Sequence, residues 1–331
     1  MSVLVTGGLG FIGSHLSAKL TSLGEEVHII DSLTDYYSTD LKRLRRKRLL
    51  STIPNNHIHE INLCDKKALD SIIQKVKPSK VVHLAAQAGV RLPIGQLHKY
   101  TESNLTAFSN VLQSVVNEGI PDFLYASSSS VYGNSTDLPY KEDAKGLAPI
   151  SFYGATKLSN EILAHSAVIG SGTRARGMRF FTVYGPWGRP DMAYFRLATS
   201  LLSDYQFHRF GDGLVKRDFT YIDDTIEGIS RLSKQLSDMP SGNSDVVNLG
   251  GGNPYSLNDL ISEFEKISGK HIQITNEQSA LGDVKVTVAD STLLENLTGF
   301  IPRVSLETGA MLFYDWASSA DVKSNLSKWV G

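Results

Sequence analysis

The chain has 331 residues, 41% of them apolar and 20% charged, with 33 Lys and Arg against 34 Asp and Glu for a net charge of -1. That balance leaves no electrostatic footprint for nucleic acid or an anionic membrane, and no apolar run approaches the ~20 residues of a membrane span, so a small molecule is the expected partner. The single cysteine, Cys64, has no internal disulfide partner and no metal-ligand cluster around it, which fits a reducing cytoplasm and no metal.

The predicted elements begin with a strand over 3–6, without the basic and apolar regions of a signal peptide before it. Short β-branched runs over 26–30, 58–63, 80–84 and 122–126 read as further strands, each separated from the next by a helical pattern. Alternation at this spacing implies an α/β fold, a doubly wound parallel sheet with helices on both faces and ligands at the carboxyl ends of the strands. Leucines threaded through the basic run 42–49 indicate a helix with a solvated cationic face, at most passing near a cofactor phosphate. Past Tyr184 the pattern becomes irregular: turn-rich 185–190, a helical stretch and a strand over 207–210 suggest a smaller substrate-binding lobe. A run over 246–249, ending in the turn Gly250-Gly251-Gly252, reads as another core strand. The lobe is therefore discontinuous, with 1–183 and 219–253 forming the cofactor domain and 184–218 and 254–331 the lobe. The Asn-x-Ser/Thr triplets at Asn104, Asn134, Asn296 and Asn325 carry no expected function without export.

Gly7, Gly10 and Gly13 separate the first strand from the first helix. Their spacing permits a tight turn and close backbone approach, and the helix amino terminus offers unpaired N–H groups to a pyrophosphate. Asp31 stands 24 residues after Gly7, at the end of the second strand. A carboxylate there accepts bonds from ribose hydroxyls and repels a 2'-phosphate, which favours NAD over NADP. Tyr153 and Lys157, four residues apart, share one helix face, so a phenol stands beside a fixed cation. An ammonium favours the phenolate; a shift of about three units from ~10 is worth roughly 4 kcal/mol and makes Tyr153 a usable base near neutrality.

Taken in order, the glycine motif, Asp31, Val82-His83-Leu84-Ala85-Ala86-Gln87, Ser127-Ser128-Ser129-Ser130-Val131-Tyr132-Gly133 and the Tyr153 to Lys157 pair resemble the extended short-chain dehydrogenase/reductases, which are nucleotide-sugar epimerases and dehydratases. The resemblance covers nearly the whole chain and implies a Rossmann-type sheet with a smaller α/β lobe. It implies NAD held by Gly7, Gly10, Phe11, Ile12, Gly13, Asp31, Asn62, Leu63, Leu84, Ala85, Ala86, Tyr153 and Lys157. By the same resemblance Ser128 is the catalytic hydroxyl, Tyr153 the base, and Lys157 the ribose ligand that lowers the tyrosine's pKa. The implied chemistry passes a hydride from sugar C4 to NAD while Tyr153 takes the C4 hydroxyl proton, leaving a transient 4-keto sugar. In an epimerase this intermediate rotates about its diphosphate and takes the hydride back on its other face. Dehydratases of the family carry an Asp-Glu pair directly after the catalytic hydroxyl, where this chain has Ser129 and Ser130.

The segments 179–192, 217–224 and 87–91 look most like those of UDP-glucuronate 4-epimerases. That resemblance implies a UDP-glucuronate or UDP-galacturonate substrate whose carboxylate lies among Ser128, Ser129, Ser130 and Thr182 with Arg189 nearby. Arg217 is implied at the diphosphate, Asp283 at the uridine ribose, and Gln87 and Arg91 in the same site. Oxidising C4 of a glucuronate makes a β-keto acid, which loses carbon dioxide when its C5–carboxylate bond aligns with the carbonyl π system; a hydroxyl cage that prevents alignment suits an epimerase. A UDP-glucose 4-epimerase, a UDP-glucuronate decarboxylase and a catalytically silent NAD-binding protein are the alternatives. Two departures stand out: Asn62 where many relatives carry an aspartate facing adenine, and Gly154 where the uronate group commonly has alanine, which weakens the local helix by roughly 1 kcal/mol. A homodimer through helices near 101–116 and 153–169 is also implied.

Overall fold

The structure is a computed structural model that describes residues 1–278 and 284–330. Its strands are β1 (Ser2–Thr6), β2 (Glu26–Asp31), β3 (Ile58–Glu60), β4 (Lys80–His83), β5 (Asp122–Ser128), β6 (Arg174–Phe180), β7 (Thr182–Tyr184), β8 (Phe207–Phe210), β9 (Lys216–Tyr221), β10 (Ser244–Leu249), β11 (Pro254–Ser256) and β12 (Ile274–Glu277). Seven of them form one parallel sheet in the order β10-β6-β5-β4-β1-β2-β3. The inner strands are apolar nearly throughout because both faces are covered. Side chains alternate between two cores: Val3 and Val5 join Leu16 and Leu20, whereas Leu4 and Ile30 join Leu69, Ile73 and Phe108. Each such side chain contributes about 1.5–3 kcal/mol by leaving water, so a charge at Leu4 would disrupt the seam.

Winding reverses between β1 and β4, and that reversal opens a crevice at the carboxyl ends of the central strands. The expected strands occur with shifted ends. β5 runs on to Ser128 because its last two residues still pair with Arg179 and Phe180 of β6. β3, at the sheet edge, stops at Glu60, and the chain then turns as Asn62 accepts a hydrogen bond from Cys64 N at 2.9 Å. β10 starts at Ser244, slightly before the expected run.

The remaining strands form a three-stranded sheet, β11-β9-β7, and a two-stranded parallel pair, β12-β8. The helices Ala193–Leu202, Leu257–Ser268 and Leu306–Ser318 pack around Phe195, Phe264 and Phe313. A capping box between Ser256 and Asp259 starts the second of these, and Gly269 ends it in the left-handed conformation. This packing is continuous with the core under β1, so the lobe is rooted in the sheet. Gly251 and Gly252 form a turn whose N–H groups both donate to buried Asp218, at 2.9 Å each. Among the described residues no helix is long and apolar enough to cross a membrane.

Candidate active site

A cleft of about 980 Å³ follows the crevice. Its lining includes Gly7, Gly10, Phe11, Ile12, Gly13, Asp31, Asn62, Leu63, Leu84, Ala85 and Ala86 on one wall, and Gln87, Arg91, Ser129, Ser130, Thr182, Arg189 and Arg217 on the other. Ser128, Tyr153 and Lys157 lie on the same lining, so the structure brings together every expected site residue except Asp283, which falls outside the described residues.

The glycine loop is shaped by contact rather than by flexibility. Gly7 has φ +69, and a Cβ there would lie 2.7 Å from Ala85 N; a Cβ at Gly13 would collide with the Gly7 carbonyl oxygen. Asp31 holds the loop in place, accepting from Leu9 N at 3.1 Å and from Leu33 N at 2.9 Å. Gly10 is the N-cap of the helix Phe11–Ser22 and has no side chain to cap it, so the first-turn N–H groups remain for an anion. A carboxylate with spare lone pairs beside a phosphate-sized cradle fits a dinucleotide with a free ribose 2'-hydroxyl. Asn62 fits less simply, since its side-chain oxygen is already used by Cys64 N; what it offers the cleft is chiefly its NH₂ group.

The helix Thr39–Leu49 corrects the expectation of a solvated cationic face. Arg43, Lys47 and Arg48 are exposed, but Lys42 and Arg45 are buried. Lys42 donates to Thr34 O at 2.9 Å and stands 3.8 Å from Asp31. Arg45 donates to Trp187 O at 2.9 and 2.7 Å, to Gly188 O at 3.0 Å and to Leu9 O at 3.3 Å. It thereby joins the glycine loop to the segment that carries Arg189. Helical periodicity places a face but does not reveal that a distant loop will cover it.

Tyr153 and Lys157 lie on the helix Phe152–Val168, whose N-cap Ser151 accepts from Gly154 N at 3.0 Å. A Cβ at Gly154 would sit 2.7 Å from Ser130 O, so glycine lets this helix approach the serine turn closely. Lys157 is 1% exposed and donates to Ala126 O at 2.9 Å, and burial lowers its pKa to about 8. The expected lowering of the Tyr153 pKa by Lys157 is not found. Burial raises the phenol above its ordinary value, while the Arg189 charge and a hydrogen bond with Ser128 draw it back only in part. Lys157 Nζ lies 5.8 Å from the ring centroid and is committed to Ala126, so desolvation outweighs its influence.

Around the phenol, Ser128 Oγ donates to Ser130 Oγ at 3.2 Å and accepts from Ser130 N at 3.1 Å. Arg189 forks onto Asp191, with Nε at 3.0 Å from one oxygen and Nη2 at 2.5 Å from the other, and Tyr36 donates to the same carboxylate at 3.3 Å. Burial disfavours the guanidinium charge, but Asp191 overrides it. Arg217 donates to Val284 O at 2.6 Å. Beneath the serines, Arg179 of β6 forks onto Glu161 of the tyrosine helix at 2.9 and 2.8 Å, and Ser127 donates to the same carboxylate at 2.5 Å. Sequence reasoning missed Asp191 and Tyr36 as partners of Arg189, and Glu161 as the anchor of the helix. Asp191 was legible as an acid two residues from Arg189; Tyr36 had no local signal.

A family model described as "NAD dependent epimerase/dehydratase family" matches residues 3–250. "Protein CapI" of Staphylococcus aureus is 38% identical over 96% of this chain and 98% of its own length. A "Probable UDP-glucuronate 4-epimerase" of Rhizobium meliloti is 37% identical over 96% of each. Among solved structures, the UDP-glucuronic acid 4-epimerase of Bacillus cereus in complex with UDP-glucuronic acid and NAD superposes with a TM-score of 0.83 at 35% identity, covering 96% of this chain and 98% of that one.

Proposed function

We propose that this chain, which belongs to the NAD dependent epimerase/dehydratase family, interconverts UDP-glucuronate and UDP-galacturonate by epimerisation at C4. The observation that carries this reading is the sugar wall of the cleft, where Ser128, Ser129, Ser130 and Thr182 share one lining with the half-buried guanidinium of Arg189 and with Tyr153 of the helix Phe152–Val168. Hydroxyls are complementary to a carboxylate, and Arg189, although paired with Asp191, keeps further N–H groups to donate to one. Ser129 and Ser130 also stand where a dehydratase needs its acid and base.

NAD, held by the glycine loop and Asp31, supplies the hydride acceptor and donor. Tyr153 removes the C4 hydroxyl proton and later returns it, and Ser128 hydrogen-bonds the same oxygen. Lys157, fixed to Ala126 O, is the cation that meets the cofactor ribose. The serines, Thr182 and Arg189 keep the carboxylate out of alignment with the C4 carbonyl and so prevent decarboxylation. Arg217 pairs with the diphosphate, Gln87 and Arg91 border the sugar, and the lobe 184–218 and 254–331 binds the nucleotide half. We also place the enzyme in the cytoplasm, a reading supported by its lone free thiol, and as a homodimer through the helices near 101–116 and 153–169, supported by exposed Phe152, Ile162 and Ile169.

Incubating the purified chain with UDP-glucuronate and following products by NMR tests the reading. UDP-galacturonate should accumulate without net consumption of NAD and without carbon dioxide. Release of carbon dioxide with a UDP-pentose would make it a decarboxylase, and preferential turnover of UDP-glucose would overturn the uronate assignment.

A further inference from the structure

At the end of β2 opposite Asp31, a glutamate and three histidines gather where the proposed reaction has no use for them. Glu26 and His28 alternate along β2, His57 ends the short 3-10 turn that precedes β3, and His59 lies in β3, paired to Ile30. The rings of His28 and His57 stack with centroids 3.9 Å apart, and that of His59 lies 5.8 Å from His28. Donor atoms of Glu26, His28 and His57 all lie within 4.8 Å of one another. His28 turns Nε2 to Glu26, and its Nδ1, like Nε2 of His59, is buried without a hydrogen-bond partner and lies on the side away from that contact.

We propose that Glu26, His28 and His57 bind a divalent transition-metal ion of the zinc type. Two imidazoles and a carboxylate suit Zn²⁺, Ni²⁺ or Cu²⁺ rather than Mg²⁺ or Ca²⁺, and leave a position for water. Tetrahedral zinc with bonds of about 2.0–2.1 Å requires donor separations of about 3.3 Å. Glu26 Oε1 and His28 Nε2, 3.3 Å apart, already meet that distance. His57 Nε2 is 4.0 Å from the same oxygen, and its ring must turn out of the stack on His28 to aim its lone pair at the ion. The Glu26 side chain is 58% exposed and that of His57 20%, so an ion reaches the site from solvent. Lys75, exposed on the helix Lys66–Val76, is the cation that opposes binding. A bound ion would brace β3, a three-residue edge strand with one neighbour, whose chain continues to Asn62 and Leu63 on the cofactor wall.

The full chain, freed of any tag and treated with a chelator, is titrated with ZnCl₂ by calorimetry and with CoCl₂ by visible absorption. One equivalent should bind saturably and raise the thermal midpoint. His57→Gln should weaken binding at least tenfold, and Lys75→Gln should tighten it. Glu26→Gln, at an exposed position, serves as the second weakening variant should His57→Gln fail to fold by circular dichroism. The absence of saturable binding overturns the proposal, as does an affinity unaltered in the folded variants.

Discussion

Along the cofactor wall, Gly7, Asp31 and Leu84 stand at the ends of three adjacent strands, and main-chain groups hold them: Gly7 N donates to Ile30 O at 2.7 Å, and Leu9 N and Leu33 N to Asp31. Along the sugar wall, Ser128, Thr182, Arg189 and Arg217 come from separate segments, and the side chains of Asp191 and Tyr36 orient Arg189 while the Val284 carbonyl holds Arg217. The first wall is therefore a property of the fold, and the second a property of particular side chains. Substitutions on the sugar wall should alter chemistry and selectivity while leaving the cofactor bound, whereas damage where the walls join should cost stability.

The largest expected effect is that of Tyr153→Phe, which should lower kcat by about 1,000-fold or more with NAD binding retained, as measured by product NMR and cofactor fluorescence. Turnover within tenfold of the native chain would sink its role as the base. Arg45→Met should reduce the unfolding free energy by about 3 kcal/mol in urea, because buried carbonyls of Leu9, Trp187 and Gly188 lose a charged donor together. A loss below about 1 kcal/mol would mean that the walls are joined by something else.

Lys157 provides a pH-dependent comparison. Its folded pKa, about 8, lies below the ~10.4 of an unfolded lysine, so between those values the unfolded chain binds more protons. Native stability should therefore rise with pH across that window, by roughly 3 kcal/mol, with the burial penalty fully present below it. Lys157→Met should lack this increment when urea midpoints at both ends of the window are compared; parallel curves for the two chains would contradict it. Arg189→Met should lower the ratio of kcat/KM for UDP-glucuronate over UDP-glucose by about tenfold, the worth of a charged hydrogen bond. An unchanged ratio would leave carboxylate recognition to the hydroxyls alone. The smallest effect is expected for Gly154→Ala: helix propensity gains roughly 1 kcal/mol, but the contact with Ser130 O forces a shift, and a slightly lower thermal midpoint should result.

Much of this was legible before the fold was known. The parallel sheet followed from alternating periodicities, and the shifted ends of β3 and β5 reflect neighbours that a linear pattern does not display. The motif residues were found because chemistry recurs at short spacing, but their electrostatics were not. Tyr153 was expected to be acidified by its helical neighbour, yet burial sets the direction and Arg189, from another segment, is the cation that opposes it. Lys42 and Arg45 read as surface charges until a distant loop covered them.

The sequence by itself determined the strand and helix order, the glycine loop with Asp31, and the shared face of Tyr153 and Lys157, because contacts within a few residues and periods of 2 or 3.6 specify them. Only the tertiary structure decided which carboxylate holds Arg189, which basic residues are buried, which way the Tyr153 proton affinity moves, and that His28, His57 and His59 stack together. Those outcomes depend on which groups are excluded from water side by side, and the groups concerned are as much as 155 positions apart along the chain.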